Sequence, residues 1–297
     1  MAQESRLFKV KQCRPLAFPW VLVSLVAQLL PTALLALGLP PAFVDVGASR
    51  GVGPYSSGVM GGGVALADYD GDGDLDLFVP NREGVADQLY RNLGGASFEE
   101  IAWEVGLASL QRSRSALFLD YDGDGDLDLL VAGDCYQLPG GCVAGTSLLR
   151  LYRQDADGAF TDVTDECGLF DDGGGHDTRE HRGGIAAGDL DNDGYPDLFV
   201  GMWVEEASLF FNNGDGSFTD ASGTSGVGLD KRGHWQAVIH DFDGDGWNDI
   251  FVAVDFNQNR LWMNRRDRTF EDRAPEAGVD SAWNEMGIAL GDYDNDG

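Results

Sequence analysis

One acidic phrase recurs along this chain: DYDGDGDLD from Asp68, DYDGDGDLD from Asp120, DLDNDGYPD from Asp189, DFDGDGWND from Asp241 and DYDNDG from Asp292. The starts lie 52, 69, 52 and 51 residues apart. A repeat near 50 residues decides the architecture first, because each copy must be one supersecondary unit that buries its apolar face against its neighbour. Two further markers keep the same order. A phenylalanine recurs at Phe43, Phe98, Phe160, Phe218 and Phe270, each followed eight residues later by Gly51, Gly106, Gly168, Gly226 and Gly278. Between them stand LYRN from Leu89, LYRQ from Leu151, LFFN from Leu209 and LWMN from Leu261. The long gap holds two insertions, the loop between Cys135 and Cys142 and the stretch DDGGGHDTREH from Asp171. Connections tolerate such additions where strands do not.

Each unit reads as short strands. GGVALA leads into the first acidic phrase, and LFV, LLV, LFV and IFV follow the four complete ones. Short apolar runs bounded by Gly and Asp turns are the signature of buried strands. QLYRN and SFEEI add two more. Four strands per unit is the count of one propeller blade. The reading is an all-β chain, a β-propeller of four-stranded blades with about five represented. After Leu39 no window carries a sustained helical period.

The aspartates explain why so many like charges share one turn. Written D-x-D-G-D-G-x-x-D, the phrase matches an EF-hand loop through its glycine at position six, then departs from it. Position twelve is Val79, Val131, Val200 or Val252 instead of Glu, and the flanks are strands instead of helices. The ninth position supplies the acid. Two carboxylates ~4 Å apart repel by about 1–4 kcal/mol, depending on the local dielectric. A hard cation bound by six to eight oxygens relieves that repulsion, and calcium suits it better than magnesium, which retains its waters. The expected carboxylate ligands are Asp68, Asp70, Asp72 and Asp76; Asp120, Asp122, Asp124 and Asp128; Asp189, Asp191, Asp193 and Asp197; and Asp241, Asp243, Asp245 and Asp249. The seventh residue, Asp74, Asp126, Tyr195 or Trp247, would give its carbonyl. That makes four complete Ca2+ sites. A fifth is truncated, with Asp292, Asp294 and Asp296 but no ninth-position acid.

With these motifs in hand, residues 43–297 resemble the FG-GAP/VCBS repeat proteins, integrin-α-like propellers with calcium in hairpin loops. GDLDNDGYPDLFVG and LFFNNGDGSFTDASGTSGV are similar to bacterial units of that type. The arrangement looks like the cartilage acidic protein and ASPIC/UnbV-type group. The resemblance implies a seven-bladed ring of which this chain is a C-terminally incomplete part. It also implies an N-terminal outer strand, Phe43–Val46, that completes the last blade.

Residues 1–42 form a separate segment. Arg6, Lys9, Lys11 and Arg14 precede an apolar run from Leu16 to Leu39, which reads as an export helix, either a cleaved signal peptide or a signal anchor. The remainder is then extracellular, surface-exposed or periplasmic. A formal net charge of −30 excludes nucleic acid and anionic membrane surfaces as partners. It leaves membrane contact only to the N-terminal anchor. Cys135 and Cys142 can pair in an oxidising compartment or remain free thiols beside Cys167.

The leading functional reading is a non-enzymatic module that binds protein or carbohydrate, with calcium structural. The alternative is a calcium-dependent propeller enzyme of the polysaccharide lyase or phospholipase type, with its chemistry in the 171–184 insertion. His176, Asp177, Arg179, Glu180, His181 and Arg182 lie there, without H-E-x-x-H spacing. His234 and His240 read as strand residues. Trp203, Trp235, Trp262 and Trp283 could stack on sugars or pack in a core. G-x-S-x-G, Walker and dinucleotide fingerprints are absent.

Overall fold

The computed structural model describes residues 44–53, 63–133, 148–169, 182–203, 206–227, 232–281 and 283–291. The export segment, Cys135 and Cys142, the stretch His176–His181 and the acids Asp292, Asp294 and Asp296 lie outside them. Among the described residues no helix is long and apolar enough to cross a membrane.

The strands form four antiparallel sheets of four, each in simple chain order. The first holds Ala65–Ala67 (β1), Asp76–Val79 (β2), Gln88–Asn92 (β3) and Phe98–Glu100 (β4). The second holds Ser113–Leu119 (β5), Asp128–Gly133 (β6), Leu149–Gln154 (β7) and Phe160–Asp162 (β8). The third holds Arg182–Gly188 (β9), Asp197–Met202 (β10), Ser208–Asn212 (β11) and Phe218–Asp220 (β12). The fourth holds Gly233–His240 (β13), Asp249–Asp255 (β14), Arg260–Asn264 (β15) and Phe270–Asp272 (β16). The sheets are propeller blades. They stand side by side through their first strands, β1 against β5, β5 against β9 and β9 against β13.

The core lies between blades, which explains the uninterrupted apolar runs. A strand paired on both edges and covered on both faces cannot alternate with polar residues. Every residue of β6 and β10 is buried. Phe78 and Leu89 of the first blade meet Leu129 and Val131 of the second. Leu130 and Leu149 meet Val200 and Phe210 of the third, and Phe199 and Leu209 meet Val252 and Trp262 of the fourth.

The Phe–Gly marker turns out to be a fastening between blades. After each fourth strand the chain makes one helical turn, Ala102–Val105 (α1) in the first blade and Ala274–Ala277 (α2) in the fourth. Gly106 and Gly278 close these turns in the left-handed region, with φ of 88° and 70°. A Cβ on Gly106 would lie 2.7 Å from the Phe160 carbonyl oxygen of the next blade. The equivalent distances are 2.8 Å from Gly168 to Phe218 and 3.0 Å from Gly226 to Phe270. Backbone bonds accompany the fit: Phe218 N–H donates to the Cys167 carbonyl at 2.7 Å, and Phe270 N–H to that of Ser225 at 2.8 Å.

The N-terminal segment uses the same fastening, while the strand expected at Phe43–Val46 has its partner blade outside the described residues. Val44–Val46 are not in a strand, and Gly47–Arg50 form a 3-10 turn. Each of the four described sheets already has its own fourth strand, so this segment belongs to none of them. Gly51 nonetheless seats against the Phe98 carbonyl as the later glycines do on theirs. Gly51 therefore occupies the place that a preceding blade's closing glycine takes elsewhere.

Candidate metal centres

The acidic phrases form the turns between first and second strands of each blade, so all four lie at equivalent places. The ninth-position aspartate opens each second strand and is buried; Asp76, Asp128 and Asp197 are 0 % exposed and Asp249 2 %. Its carboxylate clamps two parts of the blade. Asp76 accepts Tyr69 N–H at 3.2 Å on one oxygen and Asn92 N–H at 2.7 Å on the other. Asp128 does the same with Tyr121 and Gln154, Asp197 with Leu190 and Asn212, and Asp249 with Phe242 and Asn264.

The first-position aspartate shapes the turn itself. One oxygen accepts the amide of the sixth-position glycine, at 2.9 Å from Gly73 to Asp68, 3.1 Å from Gly125 to Asp120, 3.0 Å from Gly194 to Asp189 and 2.8 Å from Gly246 to Asp241. Those glycines sit at φ between 87° and 96°, where a side chain is strained. Position four is also left-handed in every loop, as Gly71, Gly123, Asn192 and Gly244. The requirement at position four was not part of the sequence reading. Its signal was present, since only Gly and Asn stand there.

Positions one, three and nine converge. One carboxylate oxygen from each of Asp68, Asp70 and Asp76 lies within 4.8 Å of the others. The same holds for Asp120, Asp122 and Asp128, for Asp189, Asp191 and Asp197, and for Asp241, Asp243 and Asp249. The position-five carboxylates turn to the amide of position seven: Asp72 accepts from Asp74, Asp124 from Asp126, Asp193 from Tyr195 and Asp245 from Trp247, all at 2.9–3.0 Å.

Burial pushes the ninth carboxyls up, Asp128 and Asp197 to about 7 and Asp249 to about 6, against the opposing effect of their two amide bonds. Burial also raises Asp122, Asp191 and Asp243, with acidic neighbours adding to it. The residues fit a cation on two counts. Every donor is a hard oxygen, the set that calcium takes. Asp68 Oδ1 is buried with no hydrogen-bond partner, an arrangement that an ion would satisfy.

Neighbouring loops are tied to one another. Asn192 Nδ2 donates to the Gly246 carbonyl at 3.1 Å, and Asn248 Nδ2 to that of Asp189 at 2.8 Å. In the second, third and fourth blades the last residue of the third strand reaches back to the preceding blade: Gln154 to Tyr69 O at 3.3 Å, Asn212 to Tyr121 O at 2.8 Å and Asn264 to Leu190 O at 2.7 Å. The recurring Asn or Gln ending the LYRN marker carries this role.

The other candidate residues scatter. His234 is buried on β13, its Nδ1 3.0 Å from the Met202 carbonyl oxygen, and His240 ends that strand on Phe242. Trp262 belongs to the core, while Trp283 is 70 % exposed. Trp203 and Trp235 meet edge to face at 6.0 Å, with the Arg114 guanidinium 5.6 Å over the Trp235 ring. Arg114 and Trp235 both stand at breaks in strand register, between Ser113 and Ser115 and between His234 and Gln236. Such bulges re-aim side chains. Cys167 is buried and unpaired.

The model of the FG-GAP-like repeat matches residues 68–131, 142–200 and 241–297, more than half of the chain. The chain belongs to the FG-GAP-like repeat family. It is 29% identical over 218 residues to cartilage acidic protein 1 of Homo sapiens, covering 68% of this chain and 31% of that protein. Against the Mus musculus protein of the same name the identity is 27% over 218 residues, covering 68% and 32%. The chain thus spans about a third of the length of the curated relatives it matches. Among solved structures it is similar to an Agrocybe aegerita lectin described as recognising non-reducing terminal N-acetylglucosamine. That likeness has 24% identity and a TM-score of 0.42, and covers 69% of this chain and 50% of the lectin.

Proposed function

We propose that this FG-GAP-repeat chain is an exported, calcium-stabilised propeller segment that serves as a non-enzymatic interaction module. The observation that carries the calcium reading is the fourfold recurrence of one all-oxygen cluster in blade turns, with Asp68 Oδ1 buried and unpartnered. An ion there neutralises crowded carboxylates and pins the first hairpin of each blade. Weak sites suffice outside the cell, where calcium is abundant. The basic and then apolar N-terminus supports export.

A protein or glycan ligand fits the end of the blades opposite the acidic turns. The Trp203–Trp235 pair and Arg114 combine there, and the turn that carries the 72 % exposed Phe256 follows Asp255, the partner of Gly233 at the start of β13. The enzyme alternative rests on the 171–184 insertion, of which residues 171–181 lie outside the described residues, and the described histidine nearest in role does not favour it. His234 is packed among Phe199 and Trp262.

Calorimetric titration of chelator-stripped protein with calcium tests the reading. Saturable binding with a raised melting temperature supports it. A melt indifferent to calcium and to chelator would remove it.

A further inference from the structure

The turn between third and fourth strands differs in the last blade. In the third blade, Asn212 to Ser217, the left-handed positions are Gly214 and Gly216, with φ of 68° and 84°. The fourth blade places Arg266 and Arg268 at the same two positions, with φ of 65° and 64°. Long side chains rarely adopt this backbone, and such outliers persist where the surroundings hold them in place.

Both arginines reach metal loops. Arg266 donates through Nε and Nη2 to Asp245 Oδ2 at 3.2 and 2.6 Å. Arg268 crosses to the neighbouring blade, pairs through Nη2 with Asp191 Oδ2, and lays its guanidinium 4.9 Å over the Phe211 ring. Asp191 is one of the three converging acids of the third cluster, and its side chain is 7 % exposed. In the first two blades the arginines of the third strand stay in their own hairpins, Arg91 on Glu99 and Arg153 on Asp155.

We propose that Arg268 is a tethered counter-cation for the third loop, competing with a divalent ion for Asp191. The inference rests on the calcium reading above. The third cluster then binds calcium more weakly than the first two. Its charge also stays compensated when the ion leaves, which keeps the junction of the third and fourth blades closed at low calcium. The Phe211 ring beside the guanidinium helps hold the competitor in position.

The test is calcium titration of the whole chain by calorimetry, comparing wild type with Arg268→Gly and Arg268→Asn. Both replacements suit a left-handed backbone, so either can carry the result if the other folds poorly. The expected result is one class of sites tightened about fivefold, the equivalent of one partly exposed ion pair, with the other classes unchanged. Calcium binding that is identical in wild type and both variants overturns the role of Arg268 and leaves the calcium reading intact. No calcium binding in any of the three overturns both.

Discussion

Gly168 faces the carbonyl of Phe218 so closely that a Cβ on the glycine would stand 2.8 Å from that oxygen. The two residues belong to successive blades, and Gly168 is left-handed at φ 75°. Gly278 is left-handed too, at φ 70°, but a Cβ there meets nothing within 4 Å. Gly278→Ala should therefore cost only the backbone preference, about 1–2 kcal/mol. Gly168→Ala adds a backbone collision between blades and should cost more, roughly 3 kcal/mol or above. Urea melts of the two variants check this, and equal losses would refute the fastening.

Metal removal should invert the effect of pH on stability. Asp128 and Asp197 titrate near 7 in the folded, ion-free chain, above their ordinary value of 3.8. A raised folded pKa gives stability that is complete below pH ~4 and is lost as pH rises through ~7. The chelated protein should melt higher at pH 5.5 than at pH 7.5. With saturating calcium the ionised form is the binding form, so the order should reverse. Relief of general charge repulsion acts alike in both arms, and parallel pH slopes would count against calcium at these residues.

Arg150 and Asp87 form a buried charged pair, 3 % and 1 % exposed, across the first two blades. Their 3.7 Å separation is bridged by Ser113, which donates to Asp87 and accepts from Arg150, each at 2.6 Å. Arg150→Met should destabilise by about 3–5 kcal/mol, because it leaves a buried carboxylate without its cation. The double variant with Asp87→Asn should recover part of that loss. A denaturant midpoint that does not recover would contradict the pairing.

Asn212 donates to the carbonyls of Tyr121 and Pro196 at 2.8 and 3.2 Å. Asn212→Ala strands both acceptors and should cost about 1–3 kcal/mol. Asn212→Asp should be worse, because a carboxylate cannot donate to them. Thermal melts ranked wild type, Ala, Asp check this order.

The blade count per repeat and the strand sequence of each blade were legible because every strand keeps its place relative to Asp68, Asp120, Asp189 or Asp241. The same spacing predicts carboxylate ligands at positions one, three, five and nine; one, three and nine come together, while position five turns to the amide of position seven. What the letters hid was backbone work. Asp76 and its equivalents read as ligands, yet each also holds two amides, a role that charge and spacing do not announce. Gly106 and Phe160 read as a ruler for the period, and their contact across blades involves a carbonyl, which no residue type encodes. Arg268 could not be placed at all, since its partner Asp191 lies in another repeat.

Because the blades are fastened through a glycine Cα and a phenylalanine carbonyl, the joint is indifferent to most side chains around it. Units can be exchanged, duplicated or borrowed between relatives where the cut preserves Phe and Gly eight residues apart and the apolar faces packed between blades still match. The joint thus makes the blade an interchangeable part, and points to recombination at the outer strand as a route to new rings and to designed chimaeras.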